Sequence, residues 1–315
     1  MEFEKEILEI EKKIDEVKQF SIEKNIDLSI EIEKLVQERE DKIFKIYGEL
    51  KTWDRVKIAR HPNRPYTLDY IEHIVDDFVE LHGDRAFRDD PAIVGGIGKI
   101  AGNKFVIIGT QKGRNLEENL ERSFGNARPE GYRKALRLMK LAERFSMPIL
   151  TLVDTAGAYA GLDAELRAQG EAIARNLMEM SSLETEIISV IIGEGGSGGA
   201  LGLAVADKVF ALENSFYSVI SPEGFATILY RDAKRAPEVA EDLKLASSNL
   251  KKLGVVDDII KEPLGGAHRN YQEIATGLKN KVLEAYYELR KLDKKELIEN
   301  RYKKFRAMGE YSELT

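Results

Sequence analysis

An α/β fold is predicted by three observations on this sequence. From His61 onward, short β-branched runs alternate with helical apolar patterns. Two of those runs end in glycine-rich turns, after Val153 and after Ile192. The residues before His61 contain no proline and repeat apolar positions at spacings of three and four, which predicts helices rather than strands.

Taken in order, Ile7, Ile10, Ile14 and Val17 form one apolar seam, and after the polar stretch Ser21 to Asp27 the residues Leu28, Ile32 and Leu35, then Ile43, Ile46 and Leu50, resume it. Residues 1–60 therefore read as an antiparallel helical hairpin, a clip that packs on itself or on a partner. Pro62 and Pro65 end this texture. In the main unit, residues 61–262, strands are predicted at Ile93 to Ile97, Phe105 to Ile108, Ile149 to Val153, Ile187 to Ile192 and Lys208 to Leu212. Helices are predicted at Gly131 to Phe145, Glu165 to Ser181, Gly199 to Ala206 and Ala236 to Leu253. The charged helical patterns Ala267 to Leu289 and Lys294 to Arg306 place an exterior helical extension over residues 263–315.

With 315 residues there is ample length for a large core, and the absence of cysteine removes disulfides, thiolate catalysis and cysteine metal sites. A net charge of −7 argues against nucleic acid as the main partner. No apolar run approaches the roughly 20 residues that span a bilayer, and the acidic start lacks a secretory apolar segment, so the expected location is the cytoplasm. His61, His73 and His82, with Asp84, Asp89 and Asp90, lack metal-ligand spacing and read as surface or capping residues.

The chemically loaded segment is Ile187 to Ala206, where a predicted strand turns into a helix through Gly193-Glu194-Gly195-Gly196-Ser197-Gly198-Gly199. Unpaired N–H groups at such a junction can hold an anion or a developing oxyanion, and glycines let a ligand approach the backbone. The same residues fit two unrelated patterns. Gly193, Gly195 and Gly198 spell a dinucleotide turn with Glu213 as its acidic partner, and Gly195, Ser197 and Gly199 spell a serine-hydrolase elbow with Asp257 or Asp258 and His268 in triad order. A second glycine turn, Asp154 to Gly161, follows the preceding strand, so both loops belong on the ligand edge of the sheet, where Tyr159 could cover a flat ligand. On the helix after Pro129, Arg133, Arg137, Lys140 and Arg144 form a basic face suited to a phosphorylated ligand such as coenzyme A.

Several blocks together resemble one family: PEGYRKALRLM from Pro129, DTAGAYAG from Asp154, VIIGEGGSGGALGLAVADKV from Val190, YSVISPEG from Tyr217 and EPLGGAH from Glu262. The family is the carboxyltransferase alpha subunit of bacterial acetyl-CoA carboxylase, and the resemblance covers nearly the whole chain. It implies a crotonase-like ββα superhelix in place of a flat sheet. It also implies that a carboxyl group passes from carboxybiotin to acetyl-CoA, giving malonyl-CoA for fatty-acid synthesis. The partners implied are a beta subunit in a two-alpha, two-beta assembly, the biotin carboxyl carrier protein and biotin carboxylase, with zinc on the beta side and no metal in this chain. By position in the motif, Gly198 and Gly199 form the backbone oxyanion hole for biotin. Gly195, Gly196 and the turn Gly157, Ala158, Tyr159 and Gly161 shape the pocket, and Ser197 is a loop residue. The resemblance breaks where Ala156 and Ala160 stand in place of the family's prolines and where Asp163 to Glu171 departs from the family's segment. Beside it stand two alternatives, a serine hydrolase using Ser197 and a non-catalytic assembly subunit.

Overall fold

The computed structural model describes residues 1–309. Helices α1 (Lys5–Lys24) and α2 (Ser29–Gly48) form the hairpin, with Ile7, Ile10, Ile14 and Ile43 buried between them. Asn25 ends α1 in a left-handed conformation, its N–H returned to Ile22 O. Toward this turn the seam is half-buried at Val17, Leu28, Ile32 and Leu35, while Ile22 and Ile30, off the seam, are exposed. Next, α3 (Thr52–Ala59) packs Val56 and Ala59 against Phe216 and Leu245 of the main unit.

The main unit continues as α4 (Thr67–Ile74), β1 (Asp76–Glu80), β2 (Ile93–Ile100), β3 (Asn103–Thr110), α5 (Leu116–Glu121), α6 (Pro129–Arg144) and β4 (Ile149–Thr155). It then runs through α7 (Leu162–Glu165), α8 (Gln169–Ser182), β5 (Ile187–Gly196), α9 (Ser197–Leu201), β6 (Lys208–Leu212), β7 (Phe216–Ser218) and α10 (Pro222–Tyr230). The remaining elements are α11 (Ala236–Val239), α12 (Ser247–Lys252), β8 (Asp258–Ile260), α13 (Tyr271–Leu289) and α14 (Lys294–Arg306).

The sheet runs β1-β2-β3-β4-β5-β6-β8, antiparallel up to β3 and parallel from β3 onward. Strands β4 and β5 are buried along their whole length because helices cover both faces, which explains their continuous apolar runs. Alternate side chains separate the two layers. Val106, Ile149, Val153 and Ile191 face Leu138, Met139 and Leu203, while Ile107, Leu150, Val190 and Ile192 face Tyr70, Leu278 and Val282. The second layer corrects the expectation of an exterior C-terminal extension. Helix α13 buries Ile274, Leu278, Val282, Ala285 and Leu289 on that face and shows a polar side, with Tyr287, to solvent.

Two other predicted helices end early. The stretch from Gly199 is only the short α9, and the segment Ala236 to Leu253 breaks into α11 and α12 around Lys244, whose φ is +48°. The β5 strand serves two neighbours. Its first half pairs with β6 and its last residues, Glu194 to Gly196, pair with β7, so the sheet splits at the strand end where the glycine turn begins.

Candidate active site

Both glycine turns leave the carboxyl ends of adjacent strands, and their backbones touch. A Cβ at Gly196 would lie 2.0 Å from Ala156 O, and one at Gly199 would lie 2.4 Å from Ala158 N. Only glycine permits this approach. Ser197, at φ +49°, makes the sharp bend into α9 and is exposed. Gly157, at φ +153°, shapes the other turn, where Thr155 Oγ1 accepts from Gly157 N at 3.1 Å and donates to Gly157 O at 2.8 Å.

The carbonyls of the bend and of the turn that follows it are clamped from behind by buried side chains. Tyr132 OH donates to Gly199 O at 3.1 Å, Asn176 Nδ2 donates to Gly202 O and Tyr132 O at 3.1 Å, and Thr151 Oγ1 donates to Leu203 O at 2.7 Å. In contrast, no hydrogen bond among the described residues occupies the N–H of Gly198 or Gly199, as expected for the opening residues of a helix. With a single short turn, α9 offers oriented donors more than a macrodipole. Gly198 lines a largely apolar cavity of about 420 Å³ with Leu201, Tyr217, Val255 and Phe305. Burial pushes the Tyr217 phenol well above its ordinary value.

On the other side of the strand ends lies a charged cluster that no motif announced. Lys112 Nζ sits 2.6 Å from Asp154 Oδ1 and 3.9 Å from Glu194, and Arg60 bridges Glu194 and Glu223 at 2.6 Å each. Burial works against the Lys112 charge, yet Asp154 and Glu194 prevail and hold its ammonium above the ordinary lysine range.

The remaining predicted residues fall in two groups. Tyr159 stays at the turn. Its ring lies under the Arg128 guanidinium at 3.8 Å and its carbonyl accepts from Gln169 Nε2 at 3.1 Å. Gly161 is kept small by that same ring, 2.4 Å from where its Cβ would be. Arg133 and Arg137 are engaged elsewhere. Arg133 donates to Asp84 at 2.8 Å and to Arg167 O at 3.1 Å, and Arg137 to Gly83 O at 3.0 Å and His82 O at 3.2 Å. Their register on α6 is as expected, but their hydrogen-bond partners are the loop 82–84 and Arg167 rather than either glycine turn. Asp84 itself caps that loop by accepting from the N–H groups of Ala86, Phe87 and Arg88.

The hydrolase and dinucleotide patterns do not assemble. His268 stacks on His61 at 3.9 Å and approaches Glu4 of the hairpin, Asp257 accepts from Val209 N and Lys304, and Asp258 pairs with Lys251 and Lys281. None of them bonds Ser197. Glu213 is held by Lys261 at 2.7 Å and by Glu262 N. No grouping of three metal-ligating side chains occurs among the described residues, and no helix there is long and apolar enough to cross a membrane.

Solved structures with this architecture include transcarboxylase 12S, with a TM-score of 0.56 at 22% identity, covering 70% of this chain and 42% of that one. Another is the Pseudomonas malonate decarboxylase hetero-tetramer in complex with coenzyme A, with a TM-score of 0.56 at 14% identity, covering 67% and 85%. The chain thus corresponds to less than half of the transcarboxylase chain. These likenesses show the fold alone, which is crotonase-like.

The family model described as acetyl co-enzyme A carboxylase carboxyltransferase-like matches residues 1–309. Over 312 residues the chain is 61% identical to the acetyl-coenzyme A carboxylase carboxyl transferase subunit alpha of Fusobacterium nucleatum, covering 99% of this chain and 100% of that protein. It is 51% identical over 313 residues to the subunit of the same name from Staphylococcus aureus, covering 99% and 100%. The chain belongs to the acetyl co-enzyme A carboxylase carboxyltransferase-like family.

Proposed function

We propose that this chain is the alpha component of a carboxyltransferase that moves a carboxyl group from carboxybiotin to acetyl-CoA, working with a beta subunit in the cytoplasm. When bound, carboxybiotin on its carrier protein, which biotin carboxylase would recharge, would supply both the carboxyl group and, through its ureido oxygen, the base for the acetyl methyl proton. What this chain contributes is position and charge stabilisation. The N–H groups of Gly198 and Gly199 donate to the negative oxygen that develops in the cavity beside them. Donors of this kind lower a barrier by about 2.7–4 kcal/mol each, ~10²–10³-fold in rate.

Fixed geometry matters as much as the donors, because a preorganised hole needs no reorientation during the reaction. The Tyr132 and Asn176 clamps supply that rigidity. Gly195, Gly196 and the turn from Gly157 through Ala158 and Tyr159 to Gly161 form the adjoining wall. Arg133 and Arg137 hold the 82–84 loop on α6. In this reading residues 61–262 carry the chemistry, while the hairpin 1–60 and the helices within 263–315 brace it. Residues 310–315 lie outside the described residues.

The observation that carries the reading is a pair of unpaired backbone donors on a clamped bend, with an open cavity beside Gly198. The test is malonyl-CoA decarboxylation in the presence of biotin. Activity is expected from the chain co-purified with a beta subunit and not from the chain alone. An inactive, intact complex would overturn the proposal.

A further inference from the structure

The register of the sheet breaks at the strand ends that carry the two turns. Strands β4 and β5 pair residue for residue as far as Val153 and Ile191, but the next pair is Thr155 with Gly195, so Asp154 alone faces 192–194. Such a bulge leaves N–H groups without ladder partners and re-aims the strand beyond it. Here the Asp154 side chain replaces the missing ladder acceptor. Its Oδ1 accepts from Glu194 N at 2.9 Å and from Lys112 Nζ at 2.6 Å, while Asp154 N donates to Thr110 Oγ1 at 2.6 Å. Asp154 is 1% exposed, and its carboxylate lies against Gly193, whose Cβ would come within 2.6 Å of it.

Stability alone does not account for this arrangement. Asp154 Oδ2 is buried with no hydrogen-bond partner among the described residues, and a buried ion pair of this kind is often no more stabilising than an apolar pair of the same volume. Only Gly195, Gly196 and Ser197 separate Glu194 from the Gly198 donor, so the direction of Glu194 N sets the direction of the bend.

We infer that Asp154 is a positioning residue: by capturing Glu194 N at the bulge, its carboxylate oxygen aims the Gly198 and Gly199 N–H groups at the reacting oxygen. The inference rests on the oxyanion reading of those two glycines. It predicts a loss in kcat with KM for malonyl-CoA unchanged, because only the transition state uses the aimed donors.

Two charge-free pairs isolate the acceptor oxygen, both assayed in complex with the beta subunit by biotin-dependent malonyl-CoA decarboxylation. Lys112→Met with Asp154→Asn keeps an acceptor for Glu194 N and is expected to retain kcat within about tenfold of wild type. Lys112→Met with Asp154→Leu fills the same space without an acceptor and is expected to lose about 100-fold in kcat, with KM within about twofold and melting close to that of the first pair. Equal kcat for the two pairs overturns the inference, as does a loss in the Leu pair that appears wholly in KM. Gly198→Pro, which removes one N–H outright, runs alongside. Wild-type kcat in that variant means the oxyanion reading itself has failed. A loss there at unchanged melting, with equal kcat in the two pairs, removes only the role given to Asp154.

Discussion

The turns after β4 and β5 face one another, yet they tolerate change very differently. After β5, a side chain at Gly196 or Gly199 meets backbone atoms of the opposite turn, and the carbonyls beyond the bend are tied to Tyr132, Asn176 and Thr151. After β4, Ala156 and Ala160 are exposed, and the nearest atom to a Cβ at Gly157 is 4.0 Å away. The backbone contact is shared, but only the glycines of the β5 turn place a Cβ into it, while the β4 turn is also held by side chains laid over it, such as Arg128 on Tyr159. Donors that must not move belong on the β5 turn. The β4 turn can exchange the family's prolines for alanines without losing its shape.

The comparison breaks most readily at Gly199. Its replacement by alanine forces a methyl against Ala158 N, so the bend must shift, and we expect about 1–3 kcal/mol of destabilisation with kcat reduced about 100-fold. Biotin-dependent decarboxylation and thermal melting of the complex check both; a near-normal Gly199→Ala enzyme means the two backbones are not a rigid pair.

A smaller effect is expected for Tyr132→Phe, which leaves the buried Gly199 carbonyl without its donor, at about 1–3 kcal/mol. Denaturant unfolding measures the stability change, and a fall in kcat at constant KM ties the clamp to the bend rather than to the core.

Gly198→Ala sharpens the contrast with its neighbour. Its Cβ would find Ile173 Cγ2 at 3.8 Å, an ordinary contact, so stability should stay within about 0.5 kcal/mol and kcat should fall much less than for Gly199→Ala. Equal damage at the two positions would show that chain flexibility, not backbone contact, is what these glycines supply.

The mildest prediction concerns the tolerant turn. Among the described residues Ala160 N donates to no acceptor, so Ala160→Pro is expected to add about 0.4–1 kcal/mol of stability by restricting the unfolded chain, with little change in kcat. Destabilisation in a melt would reveal a backbone at 160 that proline cannot adopt.

Legibility along the chain followed length and periodicity. The strand Lys208–Leu212 and the helix Lys294–Arg306 occupy the stretches the sequence predicts, because each has a full period of apolar pattern to show. The pattern shows no strand at β1, β7 or β8: β7 and β8 are too short to have a period and exist only through their pairing with β5 and β6, and β1 is a largely exposed edge strand with an irregular register against β2. At the site, glycine spacing made both turns visible. Asp154 stands within DTAGAYAG, where the pattern marks only a turn, and nothing in a linear pattern connects it with Lys112, Thr110 and Glu194 N.

The sequence by itself determined where the chain bends without side chains, the alternation that builds a parallel sheet, and the apolar seam of the hairpin. These are local properties, written in the allowed backbone conformations and in the spacing of apolar residues. Tertiary structure alone decided that α13 is an inner layer, that Arg133 and Arg137 hold a loop, and that a bulge opposite Asp154 turns β5 toward β7. Each of those depends on which distant backbone groups lack a partner once the strands have paired, and no single segment of the chain carries that information.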